Sequence, residues 1–206
     1  ANIYLHYVLD HWISKVVSKR VKGRMLFRRY ADDIVVAFEC ESDARSYLQV
    51  LPKRLEKFGL ELAGEKSSLV RFERGNPEQS GKFTFLGFDF YWTRSWKSPH
   101  RAYVCRRTNK GKFRGSLLAM KEWMKKVRHH RLRDLLVVLR RKLTGWLNYY
   151  GVRGNSKMVA CYFFEVGQLI HKWLNRRSQR RSMTWAQFSK RWKQWQMPYA
   201  RVVEEQ

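Results

Sequence analysis

Acidic residues are scarce in this sequence: 17 Asp and Glu stand against 43 Lys and Arg in 206 residues, a formal charge of +26 with histidine neutral. Self-repulsion of that size destabilises a compact chain unless a polyanion neutralises it, which points to nucleic acid as the partner. Cysteine is almost as sparse. Cys40, Cys105 and Cys161 are far apart, odd in number and without metal-ligand spacing, so a disulfide framework is excluded and free thiols in a reducing, cytoplasmic compartment are expected. His129 and His130 are adjacent in a basic run with no Cys or His partner three or four residues away, which argues against zinc. No apolar run reaches the roughly 18 residues of a membrane span and no signal-peptide pattern opens the chain, so a soluble protein with no membrane partner is expected. Internal repeats and low-complexity segments are also lacking.

What is present is unevenly placed. Hydrophobic residues make up 44% of the chain, enough for one large or two small cores. Residues 1–100 carry 17 Lys and Arg against 12 Asp and Glu, whereas residues 101–206 carry 26 against 5, so a net charge of +5 is followed by one of +21. Six of the nine tryptophans (Trp123, Trp146, Trp173, Trp185, Trp192 and Trp195) fall in the basic half, beside Tyr149 and Tyr150. Such rings can stack on unpaired bases, but at helical spacing most of them are expected in a core.

The opening segment places Ile3, Leu5, Val8, Leu9, Trp12, Ile13, Val16 and Val17 at a mostly helical period, with no cap or start signal before it, so sequence upstream of Ala1 is expected. Two β-rich stretches, MLFRRY and IVVAF, flank Ala31-Asp32-Asp33, which is short enough for a hairpin turn. Ser42 is a possible cap for a helix with apolar Tyr47, Leu48, Leu51, Leu55 and Phe58, ended by Gly59. Further strands are predicted at SSLVRF and FTFLGFDFYW, separated by a polar loop, with a hairpin near residues 91–107. Helices are predicted over about 114–128, 131–150, 155–175 and 184–195, the last capped by Thr184, with Gly151 and Gly154 breaking the second from the third. The fold class is therefore α+β: an antiparallel sheet with helices over residues 1–91, a linker or hairpin over 92–113, and an all-α basic bundle over 114–206.

Two adjacent carboxylates at a sheet tip repel each other unless a cation neutralises them. Divalent metals do so in phosphoryl and nucleotidyl transfer, where Mg²⁺ ions held by carboxylates activate the attacking hydroxyl and stabilise the leaving oxygen. Asp32 and Asp33 are accordingly the candidate catalytic and metal-binding residues. Because alternate strand residues face opposite sides, Asp32 is expected to be the principal ligand and Asp33 the weaker one. The competing explanation is that Asp-Asp merely makes a good turn. An aromatic-Ala-Asp-Asp tip between apolar strands in a basic chain favours metal.

Tyr30-Ala31-Asp32-Asp33 resembles the palm signature of reverse transcriptases, and the longer RRYADDIVVAF resembles the form found in group II intron reverse transcriptase/maturases. Other segments agree in order. ANIYLHYVLD resembles the helix after the family's glycine-rich motif, and GLELAGEKSSLVRF the following palm segment. FTFLGFDF resembles the primer-grip strands, LTGWLNYYG the core of the maturase or thumb domain, and RRSQRRSMTWAQF its last segment. The resemblance spans nearly the whole chain. It implies RNA-templated DNA synthesis with Mg²⁺ and dNTPs in the complete enzyme, on an RNA–DNA primer-template duplex, and binding of intron RNA in splicing and retrohoming. Lys66 takes the position of a proton donor to the leaving pyrophosphate. Tyr30, Ala31, Leu86 and Gly87 take primer- or template-binding positions.

The resemblance also exposes departures. The family's first catalytic aspartate, its fingers and its glycine-rich motif lie upstream of the part matched here, so the chain is expected to be a C-terminal portion and inactive by itself. No Cys/His zinc-bearing nuclease segment follows Trp195, so DNA cleavage is not supported.

The densest basic clusters are Arg106, Arg107, Lys110 and Lys112, and then Arg176, Arg177, Arg180 and Arg181. Arginine forks suit phosphate geometry, so both are expected to contact RNA rather than form a merely solvated surface. Arg140, Arg141 and Lys142 lie opposite much of the apolar set of their helix and are expected to extend the same track. The alternative function, from another class, is a non-catalytic RNA-binding module that serves as a splicing or RNA-folding cofactor.

Overall fold

The computed structural model describes residues 2–95, 97–177 and 182–203. Its architecture is α+β, in two compact units, Ala1–Leu86 and Gly87–Gln206. The division falls a few residues before the boundary expected at 91/92. Within 92–113 the described residues include the paired strand ends of a hairpin and the first turn of a helix.

In the first unit, helix α1 (Asn2–Leu5) runs on into two π-helical segments, His6–Asp10 and Ile13–Val17. Leu9, Ile13 and Val17 recur every fourth residue, which places them on one helical face. All three are buried, with Val8, against Leu51 and Leu55 of α2 (Glu41–Glu56). Strands β1 (Met25–Tyr30) and β2 (Asp33–Phe38) form an antiparallel hairpin that pairs Tyr30 with Asp33 and Met25 with Phe38. Met25, Phe27, Ile34 and Phe38 from its inner face complete the core.

Two expectations for this unit fail. Helix α2 begins two residues before the helix expected after Ser42: Cys40 occupies the N-cap, with no side-chain cap bond, and Ser42 lies within the helix. Asp43 instead turns its carboxylate to the backbone N–H groups of Lys22 (2.8 Å) and Gly23 (3.2 Å), fixing the loop that enters β1. SSLVRF is not a strand; a short 3-10 turn, Gly64–Lys66, precedes it, and Arg71 accepts a bond from the Gly81 N–H (2.7 Å). Strand β3 (Phe83–Phe85) ends the unit.

In the second unit β4 (Phe88–Arg94) and β5 (Ala102–Thr108) pair antiparallel. Four helices follow: α3 (Lys110–Val127), α4 (Leu132–Tyr150), α5 (Ser156–Asn175) and α6 (Trp185–Gln194). Helix α3 starts four residues before the expected 114, because Asn109 caps it through bonds from the Gly111 and Lys112 N–H groups. Leu135, Leu139, Leu143 and Leu147 line one face of α4, all buried, each contributing about 1.5–3 kcal/mol. They pack with Val159, Val166 and Ile170 of α5 and Phe188 of α6. Trp123, Trp146, Trp173, Trp192 and Trp195 belong to or flank this core, as expected, while Trp185 remains partly exposed. Thr184 caps α6 in a reciprocal pair with Gln187.

Candidate active site and nucleic-acid interface

The tip of the β1–β2 hairpin is a two-residue loop, Ala31 and Asp32, rather than the three residues Ala31 to Asp33. Ala31 sits at φ +52, in the left-handed region that non-glycine residues rarely adopt. Asp33 is already the first residue of β2, opposite Tyr30, and the pleat places both on the outer face with Leu26, Arg28, Val35 and Ala37. Asp32 and Asp33 are both exposed, as is Tyr30 at 67%.

What holds this tip is Arg29, which is not among the expected site residues. Arg29 shares the inward phase of β1 with Met25 and Phe27, and its side chain is only 12% exposed. Its Nε donates to Asp10 Oδ1 (2.7 Å) and its Nη2 to Asp10 Oδ2 (2.6 Å), a two-pronged pair between strand and helix. The remaining nitrogen, Nη1, donates to the Ala31 carbonyl (3.1 Å) and to Asn2 Oδ1 (3.4 Å). The guanidinium holds the Asp10 carboxyl below its ordinary range, against an opposing effect of burial. Arg29 in turn is raised, first by Asp10 and to a smaller degree by the charge of Asp32. The signal available in the sequence was an arginine at an inward strand position.

The donor set at the tip fits a hard divalent cation. Two exposed carboxylates lie on consecutive residues, and among the described residues neither is hydrogen-bonded to a cation. Two carboxylates are a partial set: among the described residues no group of three or more His, Cys, Asp or Glu is gathered as a metal cluster would need. Lys66 ends the Gly64–Lys66 turn, and the role expected of it rests on a side chain outside the described residues. Leu86 (φ +49) and Gly87 (φ +75) are successive left-handed residues. A Cβ on Gly87 would lie 3.1 Å from Tyr150 Oη, so the close approach that requires glycine there is made by the protein's own tyrosine.

The basic side chains of the second unit divide by what they touch. Lys110 and Lys112 are exposed on the first turn of α3, and Arg141 points outward from α4; their side chains have no acceptor among the described residues. Others are partly committed to the fold. Arg107 lies 3.7 Å from the buried Asp89 carboxylate and over the Tyr91 ring at 4.9 Å. Arg106 donates to the Arg153 carbonyl (3.5 Å), Arg140 to that of Trp195 (2.6 Å) and Arg177 to that of His130 (2.6 Å). Lys142 covers Trp123 at 5.4 Å and Arg176 covers Trp173 at 5.6 Å. Arg140, Arg141 and Lys142 thus diverge around α4 rather than forming one track. Arg180 and Arg181 lie outside the described residues.

Beneath this surface runs a polar network that the sequence did not reveal. Asp89 accepts from Asn109 Nδ2 (2.7 Å), so the cap of α3 is tied to β4. Asn155 is 1% exposed; it accepts from the Thr108 N–H (2.8 Å) and donates to Thr108 Oγ1 and the Tyr150 carbonyl (2.8 Å each). One amide thereby joins the end of β5, the end of α4 and the start of α5.

The tip thus presents two adjacent carboxylates on a hairpin that packs against helices on one face. Residues 1–90 of the 206 match the family model described as reverse transcriptase (RNA-dependent DNA polymerase). Template nucleic acid is the substrate class of that family. No curated protein matches the chain. No helix among the described residues is long and apolar enough to cross a membrane.

Proposed function

We propose that the chain is the rear of the palm and the helical thumb of a group II intron-like reverse transcriptase/maturase, which copies RNA into DNA and grips intron RNA during splicing and retrohoming. The observation that carries the reading is the Asp32–Asp33 pair at the tip of a rigid hairpin within the segment matched by the reverse-transcriptase family. Asp32 and Asp33 would hold Mg²⁺, which when bound activates the primer hydroxyl and offsets charge on the leaving pyrophosphate. The hairpin keeps the carboxylates at a fixed place, Tyr30 and Ala31 lie beside the primer end, and Lys66 is the proton donor to the leaving group. Chemistry with two ions needs a further carboxylate, so the chain is inactive until another palm segment supplies it. Lys110, Lys112 and Arg141 contact the RNA backbone, with the free edges of the partly committed arginines around them.

The absence of a three-ligand cluster among the described residues favours one other reading, a non-catalytic RNA-binding module. Metal dependence separates the two. RNA binding should resist EDTA and Asp32→Ala under either reading, whereas only the polymerase reading predicts DNA synthesis, on addition of the missing palm segment, that is lost with EDTA. Synthesis that persists in EDTA would overturn the proposal.

A further inference from the structure

An arginine three residues before a candidate metal-binding carboxylate is a hazard for that site, because its free fork could close on the carboxylate and exclude the cation. Arg29 is so placed, and it is the cation whose charge acts on Asp32. Yet its nitrogens are directed elsewhere: Nε and Nη2 to the two Asp10 oxygens at 2.7 and 2.6 Å, and Nη1 to the Ala31 carbonyl at 3.1 Å. Asp10 is itself fixed. It ends the π-helical segment His6–Asp10, is 23% exposed, and also meets His6 Nδ1 at 3.2 Å. Its carboxylate meets β1 through Arg29 while the neighbouring Leu9 and Ile13 stay in the core.

We propose that Asp10 is a positioning residue that holds Arg29 away from Asp32, leaving the carboxylates of the hairpin tip free for a divalent cation while Arg29 fixes the Ala31 peptide from which Asp32 projects. The inference rests on the metal-binding reading of Asp32 and Asp33. Two consequences follow from the contacts. With Asp10 neutralised, Arg29 becomes a largely buried cation without a counter-ion, a costly state that turning toward Asp32 relieves. With Arg29 neutralised as well, that competition disappears even though the helix–strand pair is lost. A purely structural role for the pair predicts the reverse order, the double variant being no better than the single one.

The test uses the 206-residue chain and Mn²⁺ alone as probe. Paramagnetic broadening of the ¹⁵N-labelled amides of Asp32 and Asp33 gives the Mn²⁺ concentration at half effect in the wild type, Asp10→Asn, Arg29→Gln and the double variant, with circular dichroism confirming that each is folded. Asp10→Asn should raise that concentration about tenfold, in line with a new opposite-charge contact near the surface. The double variant should return close to the wild-type value, and Arg29→Gln alone should bind no more weakly than wild type. An unchanged midpoint in Asp10→Asn, or no recovery in the double variant, would overturn the inference while leaving the metal reading standing. If Mn²⁺ leaves both amides sharp in the wild type, the metal reading falls and the inference with it.

Discussion

Asn155 shows how much of the second unit depends on single side chains. Its amide serves a backbone N–H, a threonine hydroxyl and a backbone carbonyl, all within a buried junction. Asn155→Ala would leave those groups without partners, and urea unfolding should show a loss of about 2–4 kcal/mol. Asp10 offers a prediction in pH. The Arg29 fork holds its folded-state carboxyl below the ordinary value of 3.8, so the stability it brings is complete above that value and is lost as pH falls through the depressed one. The stability difference between wild type and Asp10→Asn should therefore shrink as pH falls below about pH 4. Neither residue carried a local signal. Asn155 was visible only as the polar first residue of an expected helix, and its partners lie 47 positions away at Thr108 and five away at Tyr150.

Among the elements, those whose signal is local were legible. The β1–β2 hairpin follows from alternation of apolar residues about a short turn, and α4 to α6 follow from apolar period and, at α6, from the Thr184 cap. What failed depended on distant partners. SSLVRF has strand composition but no ladder among the described residues, and Leu69 is exposed. The start of α3 was missed because NKGK read as a charge run, whereas Asn109 there is a cap anchored by Asp89. The tip of the hairpin was legible as a carboxylate pair, but the share of each residue was not: Asp33 belongs to the strand and Asp32 to the loop. Helix α4 also carries a testable oddity. Gly145 lies in its exposed middle, and a Cβ there would meet nothing within 4 Å. Gly145→Ala should stabilise the chain by about 0.5–1 kcal/mol in urea unfolding, since the fold gains nothing from glycine at that place.

At the scale of the whole molecule the asymmetry of charge is the dominant fact: residues 101–206 carry 26 Lys and Arg against 5 Asp and Glu. If six to ten phosphates are neutralised, RNA affinity should fall on the order of 10³ to 10⁵ between about 50 and 200 mM salt, and titrations at several salt concentrations would give the slope. Lys110, Lys112 and Arg141 should account for more of that slope than Arg107, whose fork already faces Asp89 and Tyr91. The binding surface and the carboxylate tip need each other only if the chain serves a polymerase. The most direct measurement of that claim is primer extension on an RNA template with a DNA primer, Mg²⁺ and dNTPs. It would use the chain supplied with a palm segment bearing the remaining carboxylate, and Asp32→Ala alongside. The account predicts extension that Asp32→Ala lowers by roughly 10² to 10³, the size of losing one preorganised electrostatic contact to the transition state; extension undiminished by Asp32→Ala would contradict it.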